Sequence, residues 1–257
     1  MCELLGMSAN VPTDIVFSFT GLMQRGGRTG PHRDGWGVGF YEGRGLRVFQ
    51  DPRPSSESEV ARLVQRYPIK SEVVIGHIRQ ANVGDVSLVN THPFVRELWG
   101  RNWCFAHNGQ LHGFKGSTSF YRPVGDTDSE AAFCDLLNRV RRAFPEPVSV
   151  QVLLPALVAA CASYRELGVF NCLLSDGDWL FSFCSSKLAH ITRRAPFGPA
   201  QLKDADMMVD FQSETTPDDV VTVIATEALT DNEMWSVYQP GEWRLWRRGE
   251  CVTSGRA

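Results

Sequence analysis

Apolar residues along this chain repeat at two spacings. Between Ser129 and Phe144, the residues Phe133, Leu136, Leu137, Val140 and Phe144 recur at three- and four-residue steps. That spacing predicts a helix with one buried face. Ahead of it, Thr127-Asp128-Ser129-Glu130 has the pattern of a capping box. A second, more apolar helix is predicted from Gln151 to Leu167, stopping near Gly168. Shorter apolar runs bounded by turn residues predict strands at 35–41, 72–79, 103–107 and 220–226. The last of these is β-branched at every position but Ala225. Phe170–Ser175 and Trp179–Ser185 flank Asp176-Gly177-Asp178, which predicts a hairpin. Many strands and few helices, without regular strand–helix alternation, predict α+β layers. No repeat or linker divides residues 1–257, so one domain is expected.

Composition narrows the function classes. The chain has 257 residues with 26 Lys+Arg against 29 Asp+Glu, a net charge of −3 that argues against a general nucleic-acid binder. The alternating string Trp243-Arg244-Leu245-Trp246-Arg247 is therefore expected to be a half-buried strand with a basic outer face. The longest apolar run, Val152 to Ala162, is too short for the roughly 18 residues that span a membrane, and Pro155 interrupts it. The N-terminus lacks the charged and apolar regions of a signal peptide, so a cytoplasmic protein is expected. Seven cysteines, with no C-x-x-C pair, support neither a disulfide framework nor a zinc site. Cys104, Cys134, Cys172 and Cys184 sit in apolar strings and are expected to be small buried hydrophobes. No metal or cofactor is expected.

Cys2 stands apart by position. If Met1 is removed, one residue carries both a thiol and a free α-amine, whose ordinary pKa is about 7.7–8.0. Such an amine can take the thiol proton near neutral pH without a separate histidine. Asn108 and Gly109 offer a side-chain amide and a backbone N–H to a developing oxyanion, although Asn-Gly is also a favoured hairpin turn. The planar fork of Arg79 suits a substrate carboxylate or a structural ion pair equally. Asp128 suits a substrate ammonium or a helix cap. His92, in the loop Asn90-Thr91-His92-Pro93-Phe94, is expected to be structural.

Six strings in order resemble the class II, N-terminal-nucleophile glutamine amidotransferases, and the stand-alone bacterial members most. They are Met1-Cys2, Asp34-Gly35-Trp36-Gly37, His77-Ile78-Arg79, Asn90-Thr91-His92-Pro93, His107-Asn108-Gly109 and Thr127-Asp128-Ser129-Glu130. The resemblance implies a four-layer αββα sandwich, the N-terminal nucleophile hydrolase fold, with two stacked antiparallel sheets. It implies Cys2 as nucleophile with its own amine as base, and Asn108 and Gly109 as the oxyanion hole. Arg79 would hold the α-carboxylate of glutamine and Asp128 its α-ammonium, with Asn82 and His107 also at substrate-binding positions. The larger members commonly carry tryptophan and threonine where this chain has Gln80 and Asn82.

Three activities fit this pattern. One is glutamine hydrolysis to glutamate and ammonia through a Cys2 thioester, with a separate protein as ammonia acceptor, since no synthase domain is expected. Another is hydrolysis of a different γ-glutamyl amide or conjugate. The third is a non-catalytic glutamine-binding module.

Overall fold

The computed structural model describes residues 2–213 and 216–257. In chain order its first elements are β1 (Glu3–Asp14), α1 (Val16–Arg25), β2 (Trp36–Glu42), β3 (Gly45–Asp51), α2 (Glu59–Arg66), β4 (Lys70–Ile78), β5 (Phe94–Leu98) and β6 (Arg101–Leu111). Then follow α3 (Asp128–Ala143), α4 (Val150–Arg165), β7 (Gly168–Ser175), β8 (Leu180–Phe183), β9 (Ala189–Arg194), β10 (Pro199–Gln201) and β11 (Met208–Asp210). The last are β12 (Val220–Ala225), β13 (Ser236–Val237), β14 (Glu242–Arg247) and β15 (Glu250–Arg256).

Seven strands form a first sheet in the order β13-β9-β12-β1-β4-β2-β3, and six form a second, β15-β14-β8-β7-β6-β5. Neighbouring strands run antiparallel in both. The pleat of each strand sorts its side chains between layers. Leu4, Ile75, Ile224, Cys104, Ala106 and Leu173 pack between the two sheets. Leu5, Met7 and Val74 turn to the opposite face, against Phe19 and Leu22 of α1 and Val64 of α2. On the far side, Phe105 and Phe170 meet Phe133 and Leu137 of α3 and Leu157 of α4. The result is α+β in four layers, αββα, as the resemblance implied.

Both predicted helices form, and so does the hairpin across Asp176-Gly177-Asp178. The capping box is only half made. Thr127 Oγ1 accepts from the Glu130 N–H at 3.2 Å, while the Glu130 carboxylate accepts from Gly125 N–H and pairs with Arg96.

Two strand expectations need correction. The strand expected at 103–107 runs on to Leu111, so Asn108-Gly109 is not a turn: Asn108 pairs with Asn171 and Gly109 with Phe170. The strand at 242–247 is half-buried as expected but has no single basic outer face. It lies between β8 and β15, so Leu245 enters the helix-facing core while Trp246 enters the layer between the sheets. Cys104, Cys134, Cys172 and Cys184 are buried and free, as expected of small hydrophobes.

Among the described residues, no helix is long and apolar enough to cross a membrane.

Candidate active site

Strand register brings the candidate residues together. In the β1–β4 pair Glu3 lies opposite Ile78, so the chain just before β1 arrives beside Arg79 and Gln80. Cys2 Sγ there accepts from the Gln80 N–H at 3.3 Å and lies 3.5 Å from the Gln80 carbonyl. The Asp34-Gly35 turn clamps the same segment. Arg79 N–H donates to Gly35 O at 2.7 Å, and Ala81 N–H donates to Asp34 Oδ2 at 2.7 Å. Gly37 completes this framework, because a Cβ there would lie 2.2 Å from the His92 carbonyl. Only glycine lets that loop cross β2 so closely.

From the second sheet, β6 contributes His107, Asn108 and Gly109. The Asn108 carbonyl accepts from Asn171 Nδ2 on β7 at 3.0 Å. Across a trans peptide the following N–H points the opposite way, so the Gly109 N–H faces off the strand edge. Two residues on, the Leu111 N–H leaves the same edge and donates to Asp128 Oδ2 at 2.6 Å. A Cβ on Gly109 would lie 1.8 Å from the Val169 carbonyl, so no side chain fits there.

These elements border a cleft lined by Cys2, Arg79, Asn82, His107, Gly109 and Asp128, with Gln80, His92 and Ser129 beside them. Asn108 is the exception among the candidates. Its side chain is fully buried behind this lining, with Nδ2 3.3 Å from Thr226 Oγ1 and Oδ1 without a partner. Met1, and with it the state of the Cys2 amine, lies outside the described residues.

Three of the five Arg79 donors are engaged: Nη1 donates to Asp85 O, and Nη2 to Val83 O and Gly84 O. This guanidinium therefore shapes the 83–85 loop that walls the cleft. Asn90 ties the same loop to the start of α3 through Asp85 and Asp126. Asp128 combines two tasks, since Oδ1 accepts from the Ser129 N–H at 2.9 Å while Oδ2 holds β6. His107 is held at both ring nitrogens: Nε2 donates to Val169 O at 3.2 Å, so Nδ1 accepts from the Ser129 hydroxyl at 2.8 Å.

Burial governs the electrostatics. It pushes the Cys2 thiol up to about 11, against the opposing pull of the Gln80 N–H and the Arg79 charge. The thiol is therefore protonated at neutral pH and needs a proton acceptor to react. His77, stacked on His92 with ring centroids 4.0 Å apart, is pushed down to about 3 by burial. Burial also drives His92 well below its ordinary value. Both rings are neutral and weakly basic, poorly matched to deprotonating a thiol.

Composition and spacing did not single out Arg25, the last residue of α1. It is buried and donates to Glu3 Oε2 at 3.0 Å, Asp204 Oδ2 at 2.7 Å, Glu227 O at 3.2 Å and Ala228 O at 2.8 Å. The residue after the candidate nucleophile is thereby fastened to the segment after β12. Replacing Arg25 with methionine leaves two carboxylates without their cation, and is expected to cost about 3–5 kcal/mol of unfolding free energy. Urea denaturation at neutral pH checks this; a loss below about 1 kcal/mol would assign the network no structural weight.

A sequence model of the class II glutamine amidotransferases matches residues 1–257, and the chain belongs to that family. It is 61% identical to "Putative glutamine amidotransferase YafJ" of Escherichia coli (strain K12), over 98% of this chain and all of that one. A Haemophilus influenzae protein of the same description, without the name YafJ, is 44% identical over 98% of this chain and 86% of its own length. The crystal structure of a "predicted glutamine amidotransferase" from Pseudomonas aeruginosa is 75% identical, covers 98% of this chain and all of its own, and superposes with a TM-score of 0.81. Glutamine phosphoribosylpyrophosphate amidotransferase of Bacillus subtilis shares the fold at 16% identity, with a TM-score of 0.63 over 99% of this chain and 49% of its own.

Proposed function

We propose that this chain hydrolyses the side-chain amide of glutamine through a γ-glutamyl thioester on Cys2. The observation that carries this is the convergence of Cys2, Arg79, Gly109 and Asp128, from both sheets and a helix start, on one cleft. Membership of the family supports glutamine as the substrate.

With Met1 removed, the α-amine of Cys2 takes the thiol proton, and the thiolate adds to the amide carbon of glutamine. The negative charge gathers on the former carbonyl oxygen, where the outward-facing Gly109 N–H and the Asn108 amide stabilise it. The ammonium formed on Cys2 returns its proton to the leaving nitrogen, and ammonia departs. Water then gives its proton to the same amine and adds to the thioester. Collapse of that second tetrahedral species releases glutamate and restores the thiol. The remaining Arg79 donors hold the α-carboxylate, and Asp128 the α-ammonium. Asn82 borders the substrate. His107, with both ring nitrogens engaged, sets the spacing between β6 and α3. Residues 1–257 act as one glutaminase domain, and the ammonia passes to a separate cytoplasmic acceptor protein.

A second substrate class is favoured by one observation. Past Asn82, Gly109 and Gln110 the cleft continues into a groove lined by His112, Arg165 and Glu166. That groove gives room to the amine portion of a larger γ-glutamyl amide.

Intact-mass measurement with a diazo-ketone analogue of glutamine tests the proposal. The expected result is loss of one methionine and gain of one adduct on Cys2, prevented by excess glutamine. Processed protein labelled only by γ-glutamyl conjugates would move the substrate to the second class. Processed protein that neither labels nor turns over either class would leave a binding module.

A further inference from the structure

Deepening the proposed hydrolysis, and resting on it, is the pairing of Asn108 with Thr226 across the two sheets. Thr226 follows β12, which lies beside β1, and its N–H donates to the Leu4 carbonyl at 3.2 Å. Its hydroxyl oxygen accepts from the Leu4 N–H at 2.9 Å, two residues from the nucleophile. The same oxygen lies 3.3 Å from Asn108 Nδ2. Both Thr226 and Asn108 are buried.

Counting donors and acceptors exposes a mismatch. With Asn108 Nδ2 toward Thr226, the hydroxyl oxygen faces two donors, and neither can take the hydroxyl proton. Asn108 Oδ1 meanwhile has no partner in a fully buried setting. One donor and one acceptor are thus unmet, which folded proteins avoid. The two ends of a carboxamide have the same shape, so hydrogen bonding decides which end faces Thr226. Turning the amide over lets the Thr226 hydroxyl donate to the Asn108 carbonyl while still accepting from Leu4. Only the NH2 then lacks a protein partner, and it carries the donors that an oxyanion needs.

We propose that Thr226 is a positioning residue: its hydroxyl holds the Asn108 carbonyl and so presents the Asn108 NH2 to the oxyanion formed at Cys2. A glutamine side chain bound without reaction develops no such charge, so the effect belongs to turnover and not to binding. The hydroxyl reads the first sheet through Leu4 and the second through Asn108. It thereby sets the oxyanion donor in register with the nucleophile.

The test compares Thr226→Val, which keeps the shape without the hydroxyl, with Thr226→Ser, which keeps the hydroxyl, in processed protein hydrolysing L-glutamine. Thr226→Val is expected to lower kcat by about 10- to 100-fold with KM within about threefold, and Thr226→Ser to stay within about threefold of the unaltered enzyme in both. In an Asn108→Ala background, Thr226→Val should lower kcat no further than about twofold, because its route is already removed. Thr226→Ala makes the same comparison if the valine variant does not fold. Unchanged kcat in a folded hydroxyl-free variant overturns the inference while leaving the hydrolysis intact. So do losses that multiply across the double variant, which would place Thr226 on Leu4 and Cys2 alone. If the processed unaltered protein turns over no γ-glutamyl amide, the proposed function itself fails, and this inference falls with it.

Discussion

Cys2→Ala is expected to lower glutamine hydrolysis by about 10⁴-fold or more while leaving the fold and the binding of glutamate intact. In the proposed mechanism the thiol is both the attacking group and the acyl carrier, and among the described residues no other cysteine lines the cleft. Binding should persist because the proposed contacts to substrate come from Arg79 and Asp128. Glutaminase assay alongside calorimetric titration of glutamate checks both halves; residual turnover within tenfold of the unaltered enzyme would move the nucleophile elsewhere. The same site dictates the pH profile. With burial raising the thiol and lowering His77, the proposed mechanism assigns titration near neutrality to the Cys2 amine. It must be unprotonated to act, so kcat/KM should rise with pH to a plateau above its pKa, and be lost as pH falls through it. An acid limb near pH 4 would point to a carboxylate base instead.

Asn108→Ala is the second large effect, an expected fall in kcat of about 10²–10³, the usual consequence of deleting one oxyanion donor. KM should move little, because the charge this amide meets exists only during reaction. Asn108 is also fully buried, so part of any loss can come from packing. Kinetics on the folded fraction, quantified by thiol labelling with the diazo-ketone analogue, separate the two. A folded variant with undiminished kcat would leave Gly109 as the oxyanion contact and remove Asn108 from the mechanism.

Several features were legible because they are local. The α3 spacing, the Thr127 cap and the hairpin at Asp176-Gly177-Asp178 depend on residues within one or two turns of each other, and all three form. The strand β1 was not legible. Leu4 and Leu5 are both buried because sheet and helices cover opposite faces of this central strand, which erases the alternation that marks a half-exposed one. Helix α1 escaped for a related reason. Leu202, next to β10, packs against Gly21 on this helix, so nearly every residue of α1 is buried and no polar face remains.

The same division runs through the site. Residue types were enough to place Cys2, Arg79, Asn108, Gly109 and Asp128 among the candidates, because chemistry restricts which side chains can attack, donate or bind charge, while Asn82 and His107 entered through the family resemblance. Tertiary structure decided what each one touches. Asn-Gly is a turn on local preference, yet cross-strand pairing with Asn171 and Phe170 keeps it extended. Arg25 and Thr226 carry no local signature. Their partners lie 22 to 222 residues away in sequence, and only strand pairing within the first sheet and the packing of α1 on it bring them beside the candidate nucleophile. Side-chain chemistry is a property of each residue, whereas burial, register and hydrogen-bond partnership arise only when distant strands pack.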